Sequence, residues 1–161
     1  MTTYQNFIGI DPGLSGAIAS ISPAGITFID CPIIKVSGKT KPNPTLMASE
    51  LSQLVTPNSI IIIENVHAMP GQGVTSMFSF GMGYGCWLGI IAALNIPVEF
   101  VTPQCWKKYY NLGPDKESSR VTALQLFPSQ ANELKLKKHH GRAEALLLAE
   151  FLRRKLSVKI A

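Results

Sequence analysis

Four consecutive isoleucines, Ile60 to Ile63, followed at once by Glu64, constrain the fold of this chain more than any other feature. A strand with one wet face alternates apolar and polar residues, so an unbroken run reads as a central strand covered on both faces. That demands a layered α/β arrangement, with helices above and below a sheet. An acid directly behind the run is expensive to bury without a partner, which gives Glu64 a role at the sheet's end. Phe7-Ile8-Gly9-Ile10-Asp11 repeats the device, and Pro12-Gly13 halts the strand behind its acid. Two buried strands that each deliver a carboxylate to a sheet edge suggest a shared site for a cation or a phosphate.

The rest of the chain supplies the layers. Tyr4 to Ile10, Gly16 to Ser22 and Ile26 to about Ile34 read as short strands, and the turn Ser22-Pro23-Ala24-Gly25 helps make them an antiparallel meander. Lys35 to Pro44, rich in Gly, Lys and Pro, reads as a loop. Leu46, Met47, Leu51 and Leu54 give Thr45 to Val55 a helical spacing. After a loop through Met69-Pro70-Gly71-Gln72-Gly73, the stretch from about Thr75 to Leu94 reads as helix. Its interior Gly81, Gly83, Gly85 and Gly89 each cost helix stability, and close approach of something to the backbone is the usual reason. Pro97 to Val101 reads as a strand, and Pro103 to Tyr110, Lys116 to Phe127 and Arg142 to Lys155 as helices. The order predicts one domain over residues 1–161, an α/β fold with a mixed five-stranded sheet and helices on both faces. In that arrangement the first and fourth strands can lie side by side, which would bring Asp11 to Glu64.

Charge is unevenly placed. Residues 1–100 hold three lysines against five acids, whereas residues 101–161 hold twelve Lys and Arg against five acids, a net of +7. A basic region beside a cation site suits a polyanion such as nucleic acid, although a merely solvated basic surface reads equally well from charge alone. The three cysteines are odd in number, widely spaced and without a CxxC, so they imply neither a disulfide framework nor a zinc knuckle. No apolar run approaches eighteen residues and Met1-Thr2-Thr3-Tyr4 lacks the regions of a signal peptide, so the expectation is a cytoplasmic protein that does not engage a membrane.

Glu144 is the third acidic candidate, near the start of the last helix in His139-His140-Gly141-Arg142-Ala143-Glu144. If the helix begins by Gly141, His140 and Glu144 stand one turn apart on one face. Three carboxylates and an imidazole make an oxygen-rich site that fits Mg²⁺ or Mn²⁺ better than Zn²⁺. The plainer alternatives are that Asp11 is a turn residue, that Glu144 favours a helix start through the dipole, and that Lys137 to His140 is a solvated loop. Asp30 and Glu99 read as solvated edges, and Trp87 and Trp106 as core.

Six pieces in order along the chain carry a resemblance: Ile8-Gly9-Ile10-Asp11-Pro12-Gly13 with Gly16-Ala17; Ile63-Glu64-Asn65-Val66; Gln72-Gly73-Val74 to Phe80-Gly81 with Gly85; Val101-Thr102-Pro103 with Trp106-Lys107; Asp115-Lys116 to Arg120; and Gly141-Arg142-Ala143-Glu144-Ala145-Leu146. Each is weak alone. Together they make the chain similar to RuvC-type Holliday junction resolvases of the RNase H-like superfamily, on the branch of the phage and chloroplast enzymes. The resemblance implies that Asp11, Glu64 and Glu144 hold two divalent metals, with His140, or His139 in its place, where family members usually carry a fourth acid. It implies hydrolysis of a DNA phosphodiester by water, paired symmetric nicks in a four-way junction, and a homodimer. Lys107, Lys116, Arg120 and Arg142 are the implied phosphate contacts. Gln72 and Gly73 lie in the glycine-rich stretch that would approach the junction, and Phe78, with Met77 and Phe80, would stack on or wedge between bases. The competing reading for these aromatics is helix core. A junction-binding protein without nuclease activity and an actin-like ATPase or sugar kinase are the alternatives, and the latter needs a second nucleotide-binding half that 161 residues do not supply.

Overall fold

The computed structural model describes residues 4–68 and 70–158; Met1-Thr2-Thr3 of the leader reading and Met69 of the loop reading lie outside them. The sheet is built from β1 (Asn6–Asp11), β2 (Ala17–Ser22), β3 (Gly25–Asp30), β6 (Ser59–Glu64) and β7 (Val98–Val101). Their spatial order is β3-β2-β1-β6-β7. The first two pairings are antiparallel, and β1–β6 and β6–β7 are parallel. This is the expected mixed five-stranded sheet, with the first strand beside the isoleucine strand.

Alternation along the strands divides the core into two layers. Ile60 and Ile62 pack with Trp106, Ala123, Leu134 and Leu146. Ile61 and Ile63 face the other way with Ile8, Ile10, Met47, Leu51, Trp87 and Ile91. The first layer is closed by α3 (Pro103–Tyr109), α4 (Lys116–Leu126), the short α5 (Ala131–Leu134) and α6 (His140–Val158). The second is closed by α1 (Pro44–Leu54) and α2 (Val74–Ala93). Caps begin several of these helices: Asn43, Thr102 and Asp115 each accept a backbone N–H from the first turn, and Pro occupies the first helical position of α1 and α3.

At the far end of β1 from Asp11, buried Asn6 accepts from the Ser20 hydroxyl at 2.6 Å and donates to Ser59 Oγ at 2.9 Å and Leu54 O at 2.7 Å. Three strands and α1 are thereby pinned in register where apolar packing alone would permit a slip.

The sequence reading needs correction at the third strand. β3 ends at Asp30, and residues 33–42, expected as strand tail and loop, form a separate hairpin of β4 (Ile33–Val36) and β5 (Lys39–Pro42). Ser37 and Gly38 at its tip both have positive φ, the two-residue turn that matches the twist of paired strands. The last helix also starts two residues earlier than expected, at His140.

One helix, α2, combines length with high hydropathy. It is long and apolar enough, by length and composition, to cross a membrane, and only 17% of its most apolar window is buried. The interior glycines hide that hydropathy from a search for unbroken apolar runs.

Candidate active site

The two-residue period of a strand decides which acids meet. Ile10 pairs with Ile63 across β1 and β6, so Asp11 and Glu64 end neighbouring parallel strands. Each stands two residues beyond one that faces α6: Gly9 in β1 and Ile62 in β6. Both carboxylates therefore project on the α6 side.

α6 brings the third acid because it lies unusually close to the sheet. A Cβ added to Gly9 would stand 2.0 Å from Ala145 O, and one added to Gly141 would stand 2.3 Å from Ser15 O in the turn after β1. Only glycine permits either approach. The amino end of α6 is thereby pressed on the Pro12–Gly16 turn, and His140 and Glu144 line one cavity of about 600 Å³ with Asp11, Gly13, Ser15, Ser79, Phe80 and Lys116.

Electrostatics shows how closely the acids are coupled. Burial, then the negative charges of Glu144 and Glu64, push the Asp11 carboxyl up to about 8, against the weaker pull of the Gly13 amide and Lys116. Burial raises Glu64 as well, opposed by a 2.6 Å hydrogen bond from the Trp106 indole N–H to its Oε1. Glu144 accepts from the Ser119 hydroxyl at 3.3 Å and has the Lys107 ammonium 3.9 Å away. Lys107 in turn lies 5.4 Å from the centre of the Trp106 ring. The site holds more negative charge than its own lysines balance, and it relieves the excess by taking up a proton or a cation.

His140 Nδ1 is buried without a hydrogen-bond partner. Burial and Lys116 lower its proton affinity, partly offset by Glu144, which leaves a neutral ring at pH 7. His139 belongs elsewhere: it is buried, and its Nδ1 accepts the Leu136 N–H at 3.5 Å. Among the described residues no three His, Cys, Asp or Glu side chains form a ready-made metal cage. Hard oxygen donors, one unpartnered imidazole nitrogen and an uncompensated charge nonetheless match the chemistry of Mg²⁺ or Mn²⁺.

The remaining sequence candidates separate into two groups. Lys107 and Lys116 lie at the acids. Gln72 and Gly73 line a second cavity of about 600 Å³ with Val66, His67 and Gln104, sharing the wall residues Ser76 and Phe80 with the first. Phe78 is 73% exposed, whereas Phe80 is half-buried between the two cavities. Arg120 and Arg142 have other partners. Arg120 pairs with Glu117 and donates to Leu134 O at 3.0 Å and Lys135 O at 3.3 Å. Arg142 grips Asp30 at 2.6 and 2.9 Å and Glu133 at 2.8 Å, so it ties β3 to α5 and α6. Asp30 and Glu99 are accordingly not bare edges: the first pairs with Arg142 and the second with Lys155.

Sequence reasoning assigned Trp106 to the core alone. It is fully buried, yet its N–H is spent on Glu64. The available signal was its place one turn inside a helix that starts at Thr102-Pro103, immediately after the strand next to Glu64.

No family model matches the chain. The chloroplastic Holliday junction resolvase MOC1 of Chlamydomonas reinhardtii is 35% identical over 83 residues, half of this chain. The match spans 9% of that relative's length. Two solved structures superpose over nearly everything. Thermus thermophilus RuvC in complex with Holliday junction substrate matches at TM-score 0.60 and 17% identity, over 94% of this chain and 96% of that one. A Thermus thermophilus RuvC structure matches at TM-score 0.54 and 15% identity, over 93% and 96%. With its strand order, its acids at adjoining strand ends and its closely seated last helix, the chain has the RNase H-like fold of RuvC, and its sequence relationship runs to a Holliday junction resolvase.

Proposed function

We propose that this chain is a structure-selective endodeoxyribonuclease that resolves four-way DNA junctions by metal-dependent hydrolysis. The observation that carries the reading is the convergence of Asp11, Glu64 and Glu144, from two parallel strands and one helix, close enough to raise proton affinity within the set. Mutual repulsion of this kind is stable only with a cation or a proton in place, and divalent cations supply both an activated water and charge stabilisation at a phosphodiester.

The chain's own residues divide the remaining work. Asp11, Glu64, Glu144 and the free Nδ1 of His140 would hold Mg²⁺ or Mn²⁺. Trp106 fixes one oxygen of Glu64 by its indole N–H and leaves the other without that bond. His140 serves one role at a time: where its Nδ1 does not hold the cation, the neutral ring would accept the proton released when water attacks phosphorus, as the P–O3′ bond breaks and the 3′ oxygen leaves. Lys107 and Lys116 place positive charge where a scissile phosphate would sit, while Gln72, Gly73 and Phe78 present a neighbouring surface to the strands that flank it.

Two symmetric cuts call for two sites, and α2 offers a surface for a second copy. Met82 is 36% exposed, and added Cβ atoms at Gly81, Gly85 and Gly89 would meet nothing within 4 Å. A row of bare glycines on an apolar helix admits a second helix at short range.

Incubation of the purified protein with an immobile four-way junction and each metal tests the whole reading. Paired nicks at symmetry-related positions in Mg²⁺ or Mn²⁺, abolished by EDTA, are expected. Mobility shift with intact strands under every metal condition would instead identify a junction-binding module.

A further inference from the structure

The hairpin of β4 and β5 holds every basic side chain found in the first 100 residues apart from His67: Lys35, Lys39 and Lys41. Residues 33–42 contain no acid, so the ribbon carries +3 on an otherwise acidic half of the chain. Ile33 through Lys41 are all exposed, and none of the three lysines forms an ion pair among the described residues.

The register assigns the faces. Val36 pairs with Lys39 and Ile34 with Lys41, so these four side chains share one face, and Lys35, Thr40, Ile33 and Pro42 share the other. Pro42 is buried and lies near α2, where a Cβ added to Gly83 would meet it at 3.9 Å and Pro12 O at the same distance. The root of the ribbon is therefore one helix residue away from the turn that carries Asp11. From that root, four paired residues at about 3.4 Å each reach roughly 13 Å outward. Exposed Ile34 and Val36 are β-branched and hold the strands extended without contributing to the core.

We infer that this hairpin is a duplex-binding arm, whose three lysines contact the phosphates of a DNA arm leading away from the cleavage site. Charge, reach and position favour this partner. Among the described residues the lysines form no ion pair, which leaves their charge available to phosphates, and a two-stranded ribbon is narrow enough to follow a groove. The inference rests on the nuclease reading for its choice of DNA but places no residue of the arm in the chemistry.

The test uses the full chain with Lys35→Ala, Lys39→Ala and Lys41→Ala combined, beside the corresponding triple Lys→Arg variant. Affinity for a four-way junction and for a 16-base-pair duplex is measured by fluorescence anisotropy across a salt series. Three lost phosphate contacts lower the slope of log K against log salt by about 2 to 3. Affinity at low salt falls by about 10-fold or more, with the arginine variant close to wild type and the cutting rate at saturating DNA unchanged. An unaltered slope and affinity would overturn the arm while leaving the nuclease reading in place. A weakened alanine variant of a wild type that binds but never cuts would retain the arm and discard the nuclease. Binding of the lysines to anionic vesicles with no effect on DNA, or aggregation of the alanine variant at unchanged DNA affinity, would also overturn it.

Discussion

α6 and α2 are nearly equal in length, 19 and 20 residues, and lie on opposite faces of one sheet, yet they are used in opposite ways. α6 is buried along its first twelve residues or so, with Ala143 and Ala145 through Ala149 at 0% exposure, and it seats on β1 through Gly9. α2 buries only Gly83, Trp87 and Ile91 and turns Val74, Phe78, Met82 and a row of glycines outward. In the first helix glycine serves contact within the fold; in the second it leaves surface uncovered. A helix that positions reacting groups needs a fixed seat, whereas one that meets a partner or substrate keeps apolar area in reserve.

The comparison is most easily broken at the chemistry. Glu144→Gln on α6 should reduce junction cutting by about 10²–10³-fold, the loss typical of a preorganised charge, with circular dichroism and junction affinity retained. Phe78→Ala on α2, by contrast, should weaken junction binding more than it slows cutting at saturation.

Seating comes next. Gly9→Ala forces a carbon against the α6 backbone and should destabilise the fold by about 1–3 kcal/mol or more in urea melts. Stability against pH sharpens the same point. The Asp11 carboxyl, raised to about 8 from an ordinary 3.8, keeps its proton in the folded metal-free protein and loses it on unfolding. The folded state thus binds more protons between these values, so melting temperature in EDTA falls as pH rises from about 4 to 8. Asp11→Asn should flatten that fall. An Asp11→Asn profile as steep as that of the wild type would show that the raised Asp11 carboxyl is not the source of the fall.

Smaller effects follow. Trp106→Phe preserves ring packing but removes the N–H held by Glu64, and it should lower Mn²⁺ affinity by about 10-fold in calorimetry. Gly85→Ala, on the open face of α2, should stabilise the monomer by about 0.5–1 kcal/mol, because alanine loses less conformational freedom in a helix and meets nothing there. A loss of monomer stability at that position would mean the face is already occupied.

Much of the frame was readable from local pattern. Four isoleucines announced a strand covered on both faces, and the acid behind each apolar run announced the sheet edge where the cavity opens. The hairpin was not readable, because Lys35 to Pro42 buries little and its pairing depends on two positive φ angles at Ser37 and Gly38. The ion pair of Arg142 was not readable either, since its partner Asp30 stands 112 positions away. The link from Trp106 to Glu64 spans 42 positions. Local periodicity carries no information about such pairs; they appear only when the layers close.

The chain contains two tryptophans, and the fold gives them unlike surroundings. The indole of Trp106 donates to a carboxylate of the proposed metal site, while that of Trp87 is sealed in the opposite layer with its N–H unpartnered. A cation held by the proposed cluster would therefore change the surroundings of one indole and leave those of the other alone. A change in tryptophan emission on adding Mg²⁺ would then report binding on the unlabelled chain, before any strand is cut.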